Sequence, residues 1–218
     1  MRKPIILFAV GLTMFMAACG DNKSNRLPIL GHRDAETKTV DGKEVTDTVY
    51  QTIPPFKFVN QYGDSITDNN LKGKIYVADF FFTSCPSICP TMHRNMLNVY
   101  NAYKADDNFK ILSYSIDPKY DSVPVLKKYA DKLGISGQSW WLLQSGKDET
   151  YKLATSYLTS VAEDASVPGG HVHDGWFILI DKQKHIRGTY DGTVTTEVTK
   201  LIADIKTLQA EPEQRVAQ

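Results

Sequence analysis

Residues 75–92 read IYVADFFFTSCPSICPTM, and this stretch decides the fold. Its first eight residues are almost continuously apolar, which is typical of a central strand that is covered on both faces. A loop with two cysteines, Cys85 and Cys89, follows directly, and Pro90 is favourable near the start of the helix predicted after it. The stretch therefore predicts a buried strand whose carboxyl end leads, through both cysteines, into the N-terminus of a helix.

Outward from this stretch, strand and helix patterns alternate. Turn signals at residues 41–42 and 62–64 predict two hairpins ahead of the main sheet. Further strands are predicted over residues 111–116, 140–143, 176–181 and 185–190, and helices around residues 92–103, 126–133 and 198–208, with Thr193 as N-cap of the last helix. This order predicts an α/β fold, a thioredoxin-like sandwich with a central mixed sheet, N-terminal hairpin additions and flanking helices.

The beginning of the chain has the pattern of an export signal. Arg2 and Lys3 precede an apolar run over residues 5–16, which is too short to span a bilayer, and small residues then lead to Cys19. The pattern resembles a bacterial lipoprotein signal over residues 1–18, with Cys19 lipidated. An ordinary secretory signal or an uncleaved anchor is the alternative. In each case the folded part is expected outside the cytoplasm, and the lipid would hold it at the cell membrane on the periplasmic side.

The length and net charge of the chain limit the number of domains and the classes of partner that we expect. The chain has 218 residues, enough for one domain with a sizeable core, which we place at residues 39–209 between a flexible tether over residues 19–38 and a polar tail over residues 210–218. Lys+Arg 25 balances Asp+Glu 25, for a formal net charge of +0. No electrostatic argument therefore favours nucleic acid or an anionic membrane surface as a partner.

The number of cysteines limits which residues can form a disulfide or bind a metal ion through sulfur. With Cys19 assigned to lipid, the three cysteines of the chain leave one pair, Cys85 and Cys89. A helix N-terminus favours thiolates, which both bind metals and attack disulfides. Outside the cytoplasm a disulfide between the two cysteines also persists. From these residues alone, a redox-active or structural disulfide and a metal site both remain open.

Three motifs carry a family resemblance. Residues 79–92 closely resemble the SCO/SenC family, whose members carry C-x-x-x-C-P on a thioredoxin-like fold. Residues 113–118, SYSIDP, are similar to the family's strand and Asp-Pro turn. His173 stands where the family's metal-binding histidine precedes a late apolar strand. The resemblance runs from about residue 56 to the final helix.

The resemblance implies a copper metallochaperone in which Cys85, Cys89 and His173 bind one copper ion, Cu(I) or Cu(II), and deliver it to the binuclear copper site of cytochrome c oxidase. Its implied partners are the copper-site subunit of a terminal oxidase and a thiol reductant or copper donor protein. Thiolates with imidazole suit copper, whereas structural zinc normally takes four protein ligands. A thiol-disulfide oxidoreductase that reduces the cysteines of a copper-site subunit is the alternative, and a peroxidase is a weaker third possibility.

Other residues have secondary roles in this interpretation. His171 competes with His173, because residues two apart in an extended segment point to the same side. Asp117 is either a turn former or a carboxylate that tunes copper binding or contacts the partner. Asp79, inside the apolar strand, resembles the buried acid of thioredoxins that helps deprotonate a cysteine. His93 is expected to be a solvated helix residue.

Overall fold

The structure is a computed structural model, and it describes residues 26–212. The strands are β1 (Arg33–Val40), β2 (Lys43–Tyr50), β3 (Lys57–Asn60), β4 (Ser65–Thr67), β5 (Ile75–Phe81), β6 (Phe109–Ser115), β7 (Trp140–Gln144), β8 (Val161–Glu163), β9 (His171–His173), β10 (Trp176–Ile180) and β11 (Ile186–Asp191). The helices are α1 (Cys89–Tyr103), α2 (Val123–Leu133), α3 (Lys147–Ser156) and α4 (Thr195–Ala210), with a short 3₁₀ turn at Asp68–Leu71.

Seven of these strands form one mixed sheet, in the order β11-β10-β5-β6-β7-β3-β4. The central strands β5, β6 and β7 are parallel, and the flanking pairs are antiparallel. All seven residues of β5 and all seven of β6 are buried, as expected for parallel strands covered on both faces. The predicted α/β architecture with a central mixed sheet is confirmed.

The two faces of β5 meet different helices because alternate residues of a strand point to opposite sides. Phe81 packs against His93 of α1, whereas Phe80 packs against Tyr157 directly after α3. Helix α4 is joined to α1 by a hydrogen bond from the Tyr103 hydroxyl to a backbone carbonyl of α4. Helices therefore cover both faces of the sheet, and α1 carries the cysteine loop at one end.

The two predicted hairpins differ in their relation to the sheet. Strands β1 and β2 pair only with each other, through a turn at Asp41 and Gly42, where both residues have positive φ. Strands β3 and β4 instead extend the edge of the main sheet beyond β7. The second hairpin is thus part of the sheet rather than an addition ahead of it.

The N-terminal tether expected over residues 19–38 differs from the structure at its C-terminal part. Residues 33–38 belong to β1, because their extended backbone pairs with β2 although their side chains are exposed and polar. Leu27 and Leu30 pack against the core, and Leu30 forms an isolated bridge with Ile186. The predicted signal peptide and Cys19 lie outside the described residues.

Arg187 fastens this N-terminal segment to the C-terminal helix. Its guanidinium is buried, forms ion pairs with Asp181 and Glu211, and donates hydrogen bonds to the backbone carbonyls of Leu27 and Pro28. We refer to these five residues as the Arg187 cluster. Glu211 also accepts a hydrogen bond from the Leu27 backbone, so this second residue of the predicted polar tail, directly after α4, is held in the fold.

The end of the chain differs from prediction in one further detail. Thr193 was expected to be the N-cap of α4, but the N-cap is Val194, and no side chain caps the helix. The Thr193 hydroxyl instead donates to Asp191. None of the helices within residues 26–212 has both the length and the apolar character needed to cross a bilayer.

Candidate metal centre

The cysteine loop connects the end of β5 to the beginning of α1. The backbone N–H of Cys85 donates to the carbonyl of Phe82, which tightens the chain as it leaves the strand. Cys89 is the first residue of α1, and Pro90 follows it in the first turn, where proline leaves no backbone hydrogen bond unmade. The predicted strand, loop and helix are therefore confirmed around both cysteines.

His173 is brought to the cysteines by the β8–β9 hairpin, which the sequence pattern did not predict. It ends β9, which pairs with β8 so that His173 lies opposite Val161. Its Nε2 lies 3.1 Å from Sγ of Cys89, while its Nδ1 lies 3.0 Å from the carbonyl oxygen of Asp174. An Nδ1–H donated to this carbonyl leaves Nε2 as the ring nitrogen that faces the sulfur, the arrangement typical of metal-binding histidines.

Three side chains thus converge in space. One ligand atom from each of Cys85, Cys89 and His173 lies within 4.8 Å of the others, which is close enough for a single ion to touch all three. The exposed fractions of these residues are 8%, 1% and 9%. Two sulfurs and one imidazole are a soft donor set, and three ligands leave an open position.

A glycine allows the two loops to approach each other this closely. Gly169, just before β9, has φ of +92°, and a Cβ added to it would lie 2.9 Å from the ring of Phe82 and 3.1 Å from Pro86. Any other residue would be strained by the backbone and would also collide with the cysteine loop. Gly169 therefore sets the distance between the loop that carries the cysteines and the hairpin that carries His173.

The two thiols differ in their acidity. The pKa of Cys85 is lowered, chiefly because the Cys89 thiol hydrogen-bonds to it, against the opposing effect of burial and with help from His173 and Ser87. The pKa of Cys89 is raised, because it serves as the donor in that hydrogen bond and because it is more deeply buried. The hydrogen bond between the two thiols therefore favours ionisation of Cys85 over that of Cys89.

Beneath the cysteines lies a polar network in which Asp79, His93 and Ser113 are fully buried and Tyr129 is partly buried. The Asp79 carboxylate accepts a 2.5 Å hydrogen bond from Ser113 and lies 3.3 Å from Nε2 of His93, whose Nδ1 is 3.0 Å from the Tyr129 hydroxyl. The expectation that His93 is solvated is wrong: it has no exposed surface. Its ring lies one turn after Cys89 on the inner face of α1, where it pairs with Asp79. Asp79 has no recorded hydrogen bond to either thiol.

Asp121 is a buried residue that the sequence reasoning did not single out for a role. It accepts hydrogen bonds from the backbone N–H and the hydroxyl of Thr83, and from the Ser115 hydroxyl at 2.6 Å. Burial raises the pKa of Asp121, although these hydrogen bonds act to lower it. Thr83 and Ser115 follow or end adjacent parallel strands, so it is the register of β5 and β6 that brings both to Asp121, and no local sequence pattern contains that register.

The remaining candidates occupy outer positions. Asp117 makes its hydrogen bonds within the turn, receiving the N–H of Tyr120 and donating its own N–H to Ser115. His171 is partly exposed and packs on Phe82, with ring centroids 5.2 Å apart. It lies outside the group of three ligand atoms. Of the two histidines considered, His173 is the one next to the cysteines.

A family profile described as SCO1/SenC matches residues 44–210 of the chain. Among solved structures, the chain is similar to a SCO1/SenC family lipoprotein from Bacillus anthracis str. Ames, with 30% identity and a TM-score of 0.67 over 73% of this chain and 95% of that one. It is also similar to BsSco, a member of the Sco family of cytochrome c oxidase assembly proteins in which a disulfide switch was identified, with 28% identity and a TM-score of 0.65 over 74% and 95% of the two chains.

A third relative, ScoI from Bradyrhizobium japonicum, was solved with copper bound. It is 26% identical to this chain, with a TM-score of 0.61 over 72% of this chain and 99% of that one. Together with the matched profile, these similarities place the seven-stranded sheet among the thioredoxin-like structures of this family.

Proposed function

This chain belongs to the SCO1/SenC family of copper-binding proteins, and from that premise we propose that it is a copper metallochaperone: Cys85, Cys89 and His173 bind one copper ion and deliver it to the binuclear copper site of cytochrome c oxidase. The observation that carries the proposal is the convergence of the three ligand atoms within 4.8 Å. The copper-bound state of a relative and the assembly role of another support the choice of ion and recipient.

The geometry suits a carrier that must release its cargo. Cys85, with its lowered pKa, offers the first thiolate to an incoming Cu(I), and Cys89 loses its proton as its sulfur joins the ion. The imidazole of His173 supplies the third ligand through Nε2, the ring nitrogen that lies next to the sulfur of Cys89. A recipient with additional ligands takes the ion by ligand exchange through the open position, and the oxidation state of copper does not change.

We further propose that residues 1–18 are a lipoprotein signal peptide and that Cys19 carries a lipid that holds the protein at the outer side of the cell membrane. The small residues before Cys19 support this proposal. The similarity to a lipoprotein from Bacillus anthracis is in agreement with it. A linker after the lipid would then connect Cys19 to the folded part, which includes Leu27 in the Arg187 cluster.

The proposal is tested at His173. His173→Ala should lower the affinity of the reduced protein for Cu(I) by at least about 100-fold, since loss of even an outer-shell partner of a metal ligand typically costs about 10- to 100-fold. Affinity would be measured by competition with a chromogenic Cu(I) chelator. Formation of the Cys85–Cys89 disulfide by a mild oxidant should proceed nearly as in the unmodified protein.

His32→Ala is the control, because His32 is exposed and its backbone, not its ring, makes the hydrogen bonds recorded for it. This variant should keep the original affinity. An unchanged Cu(I) affinity in His173→Ala would refute the role assigned to the imidazole.

Two free thiols that lie side by side at the start of α1 favour a second candidate function, a thiol-disulfide oxidoreductase that reduces the cysteines of a copper-site subunit. The Cys85 thiolate would attack one sulfur of the target disulfide and release the other as a thiolate, and Cys89 would then resolve the mixed disulfide. The two electrons come from the pair itself, which ends as a disulfide.

This candidate predicts that Cys89→Ser traps a mixed disulfide between Cys85 and an oxidised copper-site domain, whereas Cys85→Ser traps far less. Non-reducing electrophoresis and mass spectrometry would detect the adduct. Equal absence of adduct in both variants, with the target disulfide intact, would count against reductase activity.

A further inference from the structure

Two imidazoles lie beside the same aromatic ring next to the metal centre. His171 and His173 are alternate residues of β9 and therefore point to the same side of the strand. The ring of Phe82 contacts both, with centroid distances of 5.2 Å to His171 and 6.0 Å to His173. His173 is buried and His171 is partly exposed, so the two imidazoles form an inner and an outer position along one strand.

The outer imidazole is held in the same manner as the inner one. Nδ1 of His171 lies 3.1 Å from the carbonyl oxygen of Gly169, as Nδ1 of His173 lies 3.0 Å from that of Asp174. An N–H donated to a backbone carbonyl fixes the tautomer that leaves Nε2 with its lone pair. Within residues 26–212, no hydrogen-bond partner is recorded for Nε2 of His171. This nitrogen is therefore oriented by the fold and available to a metal ion.

The inner site needs such a donor because its own ligands are nearly inaccessible. The three residues that would bind copper expose less than a tenth of their surface. Ligand exchange requires that an incoming or departing donor reach the ion, and a side chain at the rim shortens the distance that the ion travels without a protein ligand. Alternate residues on one side of a strand lie about 7 Å apart, which is the step from the outer to the inner imidazole.

We propose that His171 is an outer copper ligand through which Cu(I) enters and leaves the site formed by Cys85, Cys89 and His173. This inference rests on the proposed copper-binding function and specifies its route. In uptake, the bond between Cu(I) and its donor ligand breaks as the bond to Nε2 of His171 forms. That bond breaks in turn as the two sulfurs and His173 bind, with the Cys89 proton passing to solvent and the copper remaining Cu(I).

The test separates rate from affinity. Reduced protein is mixed in stopped flow with Cu(I) supplied as its bicinchoninate complex, and the transfer of copper is followed from the loss of chelator colour. Release is measured by mixing loaded protein with excess bathocuproine disulfonate. In His171→Ala, we expect uptake and release to slow by about tenfold, while the stoichiometry of one copper and the equilibrium affinity stay within about threefold of the original protein.

Further variants distinguish ligation from packing. His171→Phe keeps a ring against Phe82 and should be as slow as His171→Ala, whereas His171→Met supplies a soft thioether donor and should recover most of the rate. Val172→Ala, an exposed neighbour on the other side of β9, is the control and should transfer copper at the original rate.

The outcomes are distinct from those that test the function itself. Original rates in His171→Ala, or in His171→Phe, would overturn the outer-ligand role while leaving the inner site in place. Loss of copper binding in His171→Ala would also overturn it, because His171 would then belong to the equilibrium site. Absence of copper binding by the unmodified protein would instead refute the proposed function.

Discussion

Asp181 illustrates how one side chain determines the response of this fold to acid. The carboxylate is buried, accepts hydrogen bonds from the ring and backbone N–H of His185, and pairs with Arg187 at 3.1 Å. Burial alone would raise the pKa of Asp181, but the hydrogen bonds from His185 and Arg187 lower it below its usual value. The ionised form is therefore stabilised in the folded protein.

From this we predict that Asp181→Asn destabilises the protein by about 3 kcal/mol at pH 7, because it leaves the buried Arg187 without one of its partners. The folded-state pKa lies below that of the unfolded chain, near 3.9. The stabilisation is therefore complete above about pH 5 and is lost as the pH falls through the folded-state value. The difference in unfolding free energy between the two proteins should shrink below about pH 4, as measured by urea denaturation.

Asp131→Asn is the matched control, since Asp131 forms an exposed pair with Lys127 and should change stability by less than about 1 kcal/mol. Equal losses in the two variants, or a difference between Asp181→Asn and the original protein that does not depend on pH, would contradict the prediction.

Single residues also mark the limit of prediction from the sequence. Cys85 and Cys89 could be identified as the reactive residues from the sequence alone, because two thiols between a strand and the start of a helix are typical of a metal site or a disulfide. His173 required the family resemblance, since the short strand that places it has only three residues. The burial of His93 could not be inferred, because a polar residue on the helix face turned toward the sheet is recognised only when its partner Asp79 is known to lie beneath it.

At the scale of elements, the contact between the cysteine loop and the β8–β9 hairpin depends on one turn. Gly169 and Gly170 both have positive φ, at +92° and +75°. They differ in their surroundings, because a Cβ at Gly169 would collide with Phe82 and Pro86, whereas a Cβ at Gly170 would have no atom within 4 Å. Substitution of Gly170 therefore tests backbone strain alone, whereas substitution of Gly169 also tests the close approach of the two loops.

We predict that Gly169→Ala lowers Cu(I) affinity by about tenfold or more and destabilises the protein by about 2–4 kcal/mol, which combines the cost of the left-handed backbone with that of overpacking. Gly170→Ala should cost only about 1–2 kcal/mol and leave Cu(I) affinity within about threefold. Affinity would be measured by chelator competition and stability by denaturant unfolding of the copper-free protein. Similar effects of the two variants would exclude Gly169 as the residue that sets the spacing.

The same scale explains which elements were missed. The long strands and helices were predicted because their apolar residues repeat with a clear period. Helix α3 was not, because only three of its ten residues are buried: Thr150, Leu153 and Ala154. Residues 33–38 of strand β1 fall within the predicted tether because all eight residues of the strand are exposed, so its sequence carries no apolar alternation. These segments are specified by pairing with a neighbour, which a local pattern does not contain.

For the whole molecule, the architecture could be predicted from the sequence because the most buried elements also have the clearest apolar patterns. The almost continuously apolar β5 identified the centre of the sheet, and the alternation of strands and helices after it indicated the parallel core. The order of the motifs predicted that residues 85, 89 and 173 act together, but it did not predict the distance between their side chains. That distance depends on the turn at Gly169, and the supporting bonds of Asp121 depend on the register of β5 and β6.

The Arg187 cluster has a mechanical consequence for the complete chain. It ties residues 27–28 to the region where β11 begins, and Leu30 pairs there with Ile186, level with the first residues of β5. The cysteines follow the last residue of that strand, about 20 Å away for seven residues. A membrane attachment on the N-terminal side of Leu27 would therefore join the domain near the start of β5, at the end opposite to the thiols. The thiols therefore lie beyond the end of β5 that faces away from such an attachment point.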